Sequence, residues 1–222
     1  MKKAVYVVAF LVMVATAFAE DALPVAVPAN DLCLADAADS ALVASGDYEQ
    51  VKSYFADSSL ARCYIVKKGT DIREGRSLSF HPNGNLAVEA PYREGKLEGV
   101  LRTFFENGKM WQTTGYTGGI EEGPSVTYYE SGVKKSKEIY KDGVLEGLSE
   151  EWTERGTIKR KIPYVKGTIH GKVLSYDELG ALKEEMTFEQ GLRHGAYRRY
   201  NKGVKVFEAE FVSNRCVKNC YF

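Results

Sequence analysis

One spacing, 24 residues, recurs along most of this chain and constrains its fold more than any other feature. Counting forward from Tyr92 in steps of this length reaches an aromatic residue each time, and the last, Phe211, falls one residue short. Three columns of glycines keep the same step, with a similar shortfall at Gly203. A fixed period in this range predicts one supersecondary unit copied along an axis, each copy burying its apolar face against its neighbours. The glycine columns are Gly95, Gly119, Gly143, Gly167 and Gly191; Gly75, Gly99, Gly123, Gly147, Gly171 and Gly195; and Gly84, Gly108, Gly132, Gly156, Gly180 and Gly203.

Each unit contains two strand-like stretches separated by turn signals. In the clearest copy, residues 100–105 and 110–114 flank the turn 106–109. Glycine supplies the positive φ of this turn, and paired glycines such as Gly95 and Gly99 form the second tight bend. Because no room remains for a crossover helix, the sequence predicts a mainly β fold. We expect a single-layer antiparallel β-hairpin meander of about twelve strands in the array, elongated and curved.

The repeated unit resembles the MORN repeat and is most similar to its bacterial variant form. Six copies cover residues 68–215, and the first departs from the pattern at Lys68 and Asp71. The resemblance implies a MORN-like array that serves as an interaction module, a membrane-associated scaffold or an appendage to an enzyme. Bacterial proteins of this kind are often labelled antitoxins, so an antitoxin-like or immunity-like role is an alternative. The pattern is shown by Tyr140-Lys141-Asp142-Gly143-Val144-Leu145-Glu146-Gly147, followed by Trp152 and Gly156.

The segments before the array predict export and a terminal cap. Residues 1–19 have a basic start and an apolar run of about 15 residues, which is typical of a cleaved secretory signal and too short to span a bilayer. Residues 20–30 predict an extended lead-in. In residues 31–67, apolar residues at helical spacing, first from Leu32 to Val43 and then from Tyr48 to Leu60, predict a helical hairpin that caps the first repeat. We expect a periplasmic or secreted protein without a transmembrane segment after cleavage.

Four cysteines lie outside the array, and an exported chain holds cysteines where disulfides persist. Three pairings are possible. We favour Cys33 with Cys63 and Cys216 with Cys220, because each pair lies within one terminal segment, and the second pair would close the tail 216–222. A zinc site is the alternative, although no Cys-x-x-Cys motif or nearby histidine supports it. We expect neither a metal nor a cofactor.

Two aromatic columns predict the core of the sheet. Cross-strand stacking of aromatic rings is what a single layer without covering helices has available for a core. Other rings are candidates for holding a peptide or glycan in an open groove, namely Phe105, Trp111 and Tyr129. The core columns are Phe80, Phe104, Tyr128, Trp152, Tyr176 and Tyr200, and Tyr92, Tyr116, Tyr140, Tyr164, Phe188 and Phe211.

A set of seven basic residues falls on the second strands of two adjacent repeats. If neighbours, they would bind an anionic lipid headgroup, a polysaccharide or an acidic protein. Alternatively, they form a solvated face balanced by Glu150, Glu151 and Glu154. The chain as a whole has 30 basic and 30 acidic residues, so binding to nucleic acid is not expected. The seven are Lys134, Lys135, Lys137, Lys159, Arg160, Lys161 and Lys166.

The sequence contains no recognisable set of catalytic residues. The residue before the second glycine forms a column of acids and histidines, but equivalent positions lie roughly 10 Å apart, so turn chemistry explains them better than a metal or a carboxylate dyad. An enzyme would need a cleft beside the cap with Asp47, Glu49 and Asp57. We therefore expect a non-enzymatic scaffold that binds a protein partner, with envelope-surface binding as the alternative. The column is Glu74, Glu98, Glu122, Glu146, His170 and His194.

Overall fold

The computed structural model describes residues 33–34 and 36–220, and these form one open antiparallel sheet with one short helix. The signal, the lead-in and the last two residues lie outside the described residues. The helix α1 is Ala37–Ala44, and the strands are β1 Tyr48–Tyr54, β2 Leu60–Lys67, β3 Arg73–Phe80, β4 Leu86–Arg93, β5 Lys96–Leu97, β6 Gly99–Phe104, β7 Met110–Thr117, β8 Ile120–Tyr128, β9 Lys134–Lys141, β10 Val144–Leu145, β11 Gly147–Trp152, β12 Ile158–Val165, β13 Thr168–Ile169, β14 Gly171–Tyr176, β15 Leu182–Glu189, β16 Leu192–Asn201, β17 Val204–Val212 and β18 Arg215–Lys218.

The predicted hairpin meander is confirmed, since consecutive strands pair antiparallel from one end of the sheet to the other. The array from β3 to β17 comprises fifteen segments. At three places one strand is divided into two segments that pair with the same neighbouring strand, and a single residue lies between the segments. These segments are β5 and β6, β10 and β11, and β13 and β14. When each divided strand is counted once, the array has twelve strands, the number expected for six hairpins.

The second helix predicted for the cap is wrong. Residues from Tyr48 to Tyr54 form β1, which pairs with β2 along its whole length. Tyrosine and valine favour strands, and their spacing fits both periods over so short a stretch. Pairing with β2 also satisfies backbone groups that a helix would leave open at the sheet edge. The segment before the array is therefore one helix followed by a hairpin that extends the sheet.

The helix α1 is fixed to the sheet by a charge and by a disulfide. Its N-cap Asp36 accepts a hydrogen bond from the Ala38 amide at 2.8 Å. Asp39, only 3 % exposed, accepts bonds from the Arg76 amide at 3.1 Å and from Arg76 Nε at 2.8 Å. Cys33, before the helix, is bonded to Cys63 on β2 within a buried apolar cluster, and Cys216 on β18 is bonded to Cys220 just beyond that strand, so both favoured pairings are confirmed. The cluster is Cys33, Leu60, Cys63, Leu78 and Phe80.

The two faces of the sheet differ in chemistry, because successive side chains point to opposite sides. One, here the tyrosine face, carries the column from Tyr92 to Phe211, in which each ring lies opposite a glycine of the preceding strand, as Tyr140 lies opposite Gly123. The ring can cover the space that the glycine leaves. The other, here the ladder face, carries ion pairs.

The core of the tyrosine face includes small side chains that the sequence did not single out. On this face, Phe211 is buried and the five rings from Tyr92 to Phe188 are half-buried. The column from Phe80 to Tyr200 lies on the ladder face, where Phe80 and Phe104 are buried and the other four rings are half-buried. Between the rings of the tyrosine face lie small residues with exposures of 3–6 %: Ala90, Thr114, Ser125 and Ser149. Thr114 and Ser125 join their hydroxyls across the strands at 2.9 Å, so part of this core is polar and hydrogen-bonded.

The glutamates before the second glycine join each hairpin to the next. The bend between hairpins is a two-residue turn with positive φ at both positions, as at Asp142 and Gly143. Glu122 Oε2 accepts a hydrogen bond from the Asp142 amide at 2.8 Å, and Glu146 makes the same contact with the Lys166 amide at 2.7 Å. The column therefore has the turn role that spacing indicated, and each carboxylate satisfies a turn amide one repeat further on.

We expect the Glu122→Ala variant to lose about 1 kcal/mol of unfolding free energy, because the Asp142 amide loses its charged acceptor. Urea unfolding followed by circular dichroism measures this loss. Glu178→Ala, in an exposed turn of a later repeat, is the matched control and should change stability by less than about 0.5 kcal/mol. Equal losses in the two variants would show that the carboxylate does not support the turn.

Candidate binding face

A row of charged residues crosses the ladder face and pairs from strand to strand. In the first section, Glu89 lies between Arg76 and Arg102, with N–O distances of 3.5 and 3.3 Å. In the second, Lys161 Nζ lies 3.3 Å from Glu150. The third section joins Glu185 to Arg198 at 2.5 Å and Arg198 to Glu208 at 2.6 Å. Opposite charges directly across strands are favourable, so most of this face is satisfied by its own ion pairs.

The pKa of Glu185 reflects this pairing. Burial alone would raise it, but the hydrogen bond from Arg198 and the charges of Lys172 and Arg198 lower the pKa of Glu185 below its ordinary value. A carboxylate held in its charged form by two cations has little capacity to recruit a further ligand.

The row of charges is interrupted by one residue, Leu174, between its second and third sections and by two residues between its first two sections. Continuing in register from Arg102, the next two residues are Thr113 and Val126, and charge returns at Lys137. This uncharged break is one strand pair wide. An apolar group of a partner can therefore approach the sheet here without removing water from an ion pair.

Two of the three predicted binding aromatics meet beside this break. The rings of Phe105 and Trp111 are 6.4 Å apart between centroids and tilted by 48°. Trp111 lies at the β-bulge between the pairs Phe104–Met110 and Thr103–Gln112, two residues before Thr113, and it is 48 % exposed. A large ring that rests on a second ring yet keeps half its surface in water has the form of a binding anchor.

The third aromatic, Tyr129, has a structural contact of its own. It occupies the turn position equivalent to Phe105 and His81. The Tyr129 hydroxyl donates to the Trp152 carbonyl at 2.9 Å, and His81 Nε2 lies 2.9 Å from the Phe104 carbonyl. Phe105 has no polar atom for such a bond. Its ring packs on Trp111 instead.

The seven basic residues do not form one patch. Lys137 and Lys161 lie on the ladder face, whereas Arg160 lies on the tyrosine face, 3.9 Å from Glu151. Lys135 and Lys159 lie at β-bulges, at the repeat position that Trp111 occupies. The ladder-face lysines flank Glu150, as the balanced alternative predicted. One contact was not expected: Lys135 Nζ lies 5.6 Å from the Tyr129 ring centroid, a cation–π arrangement.

Within residues 33–34 and 36–220, no cluster of three or more histidine, cysteine or acidic side chains is arranged to hold a metal ion, and the four cysteines are in disulfides. Among these described residues, Asp47, Glu49 and Asp57 do not form such a cluster either, and Asp57 accepts bonds from the Ser59 amide and hydroxyl in its own turn. No helix in this part of the chain is long and apolar enough to cross a membrane.

Comparison with known proteins identifies the repeat. The sequence profile of a family described as MORN repeat variant matches five consecutive stretches, at residues 73–94, 97–117, 121–142, 145–166 and 169–190. These correspond to the hairpins from β3 to β15, with each match beginning at or close to a first strand. The outer limits of the array at residues 68 and 215 stay a prediction. A search of curated protein sequences found no significant match.

Proposed function

This chain belongs to the MORN repeat variant family, and we propose that it is a non-enzymatic repeat scaffold that binds a protein partner through the surface around Phe105 and Trp111. These two rings form the apolar anchor, and Lys135 and Lys159, at the position of Trp111 in the next two copies, are available for acidic side chains of the partner. The observation that carries the proposal is the half-exposed Trp111 beside the uncharged break in the ion-pair row.

The repeat itself supports this assignment. The position of Trp111 is held by alanine, lysine or valine in the other copies, at Ala87, Lys135, Lys159, Lys183 and Val206. The tryptophan is therefore not needed to form the hairpin, since five other copies fold without it. Buried tryptophans are among the commonest energetic centres of protein interfaces. A ring placed on a pre-formed sheet also loses little conformational freedom on binding.

We further propose that the protein is exported and works in the periplasm or outside the cell. Two disulfides support an oxidising compartment, and the composition of residues 1–19 supports a cleaved signal. The intact mass of the protein purified from its source tests this: the expected mature chain begins at Glu20, and a mass that retains the first 19 residues would contradict export by this signal.

Affinity capture tests the binding role. Wild-type protein and the Trp111→Ala variant are used to capture proteins from envelope extracts of the source organism, and bound proteins are quantified by mass spectrometry. We expect the variant to lose the specific partner by about tenfold or more, because truncating an interface tryptophan typically costs about 2 kcal/mol. Its unfolding free energy should change by less than about 0.5 kcal/mol.

The matched control is Leu179→Ala, which removes another large apolar side chain, 90 % exposed, from a distant turn. It should capture as well as wild type. Equal capture by the Trp111 and Leu179 variants would reject the anchor formed by Phe105 and Trp111. Binding to anionic lipid vesicles that depends on Lys135 and Lys159 but not on Trp111 would instead support the envelope-surface alternative.

A further inference from the structure

On the tyrosine face, one repeat position decides which group lies against the next aromatic ring. At the two ends of the array this position is an arginine. The Arg73 guanidinium lies 4.7 Å from the Tyr64 ring centroid and 5.2 Å from that of Tyr92. Arg193 lies 5.2 Å from the ring centroid of Phe211. The chain therefore supplies its own cation to the rings at both ends of this face. In chain order the position is Arg73, Leu97, Glu121, Leu145, Ile169 and Arg193.

At the centre of the array, Glu121 takes the place of the arginine. Its carboxylate accepts a hydrogen bond from the Tyr116 hydroxyl at 3.3 Å, and it lies within electrostatic reach of Tyr140, the next ring. The Tyr140 hydroxyl donates to Glu138 at 3.1 Å. Burial, with the charges of Glu138 and Glu121, raises the pKa of Tyr140 to about 12. The Tyr140 ring therefore lies between two carboxylates, where its counterparts at the ends of the array lie under a guanidinium.

The surroundings leave this negative charge without a cation. Glu138 pairs across the strands with Ser125, a small side chain that is 4 % exposed. Among the described residues, the salt bridges within 4.0 Å include neither Glu121 nor Glu138. The nearest cation acting on a neighbouring ring is Arg160, beside Tyr164, and it lies 3.9 Å from Glu151.

We propose that Tyr140, with Glu121 and Glu138 on either side, binds an arginine side chain of a protein partner. The guanidinium lies over the ring, as Arg73 and Arg193 do within the chain, and donates N–H groups to the two carboxylates. Arginine fits better than lysine because its planar, delocalised cation stacks on a ring and donates in more than one direction at once. Tyr140 is near the end of β9 and Trp111 near the start of β7, so the two sites are at opposite ends of the strands and this one does not depend on the proposed function.

The test is a titration with a short blocked peptide, glycine-arginine-glycine, followed by NMR of ring-labelled tyrosine. We expect saturable shifts of the Tyr140 ring signals with a dissociation constant in the millimolar range, because a single stacked and paired side chain binds weakly. Peptides with lysine or glutamine in place of arginine should bind more weakly, with glutamine giving no saturable shift. Trp111→Ala should leave the titration unchanged, which separates this site from the anchor formed by Phe105 and Trp111.

Two substitutions test the site: one places a cation of the chain beside Tyr140, and the other removes a negative charge. Glu121→Arg places an internal cation beside Tyr140, as at the ends of the array, and should weaken the peptide by at least about tenfold. Glu138→Gln should weaken it in the same direction. Glu178→Arg, the same charge change in an exposed turn, is the control and should stay within about twofold of wild type. Thermal unfolding confirms that each variant is folded.

The proposal is overturned if the arginine peptide gives no saturable shift of Tyr140, or if lysine binds as tightly as arginine. It is also overturned if Glu121→Arg weakens the peptide no more than Glu178→Arg does, or if Trp111→Ala weakens it.

Discussion

The Gly115→Ala variant is expected to lose about 3 kcal/mol of unfolding free energy, because its added methyl group has no room. A Cβ built on Gly115 would lie 2.2 Å from the backbone carbonyl oxygen of Glu122 on the neighbouring strand. A flexible side chain could move aside, but a backbone oxygen within a hydrogen-bonded sheet cannot move alone. The two strands must separate locally, and the pairing between β7 and β8 is weakened on both sides.

The matched control is Gly123→Ala on the adjacent strand. Gly123 has φ +81° and nothing within 4 Å of an added Cβ, so its substitution measures backbone strain without a steric clash. We expect this variant to lose about 1–2 kcal/mol. Urea unfolding of both variants measures the two losses of unfolding free energy. If Gly115→Ala is no less stable than Gly123→Ala, the close approach of β7 and β8 is not a feature of the folded protein.

Replacing both Cys33 and Cys63 by alanine is expected to lose about 3–4 kcal/mol, because their disulfide closes a segment with a sequence separation of 30 residues. The bond is also part of the cap core, since Cys63 is 1 % and Cys33 5 % exposed. Without it, the chain before α1 is no longer held against β2, and the edge of the array loses part of its cover.

The Cys216→Ala, Cys220→Ala double variant is the control for loss of a disulfide as such. Its sequence separation is only 4, so the same entropic argument predicts a loss of about 2 kcal/mol. Thermal unfolding under non-reducing conditions compares the two double variants. A larger loss from the C-terminal pair than from the N-terminal pair would contradict the role of Cys33–Cys63 in closing the cap.

The periodicity of the sequence was sufficient to predict the array. Glycine, aromatic and turn residues at a fixed step determine the local bends, and those bends leave a meander as the available topology. The pairing of cysteines followed from their position in separate terminal segments. These predictions succeeded because each depends on contacts within one repeat or one short segment.

What failed depends on neighbours that a single segment does not reveal. The stretch from Tyr48 to Tyr54 has a spacing that fits a helix, but the open edge of β2 selects a strand. The seven basic residues are close in sequence, yet alternation along the strands separates Arg160 from Lys161. The contact of Phe105 with Trp111 could have been anticipated, because the two flank one turn. The uncharged break beside them required the register across four strands.

We propose that specificity lies where the copies differ, at Phe105 and Trp111. Hydrogen–deuterium exchange of the protein, alone and with its captured partner, tests this claim most directly. The account predicts slower exchange on binding in residues 105–113 and 126–137, the strands and turns around the uncharged break, with little change at the ends of the array. Protection confined to other repeats, with none in these two segments, would contradict it.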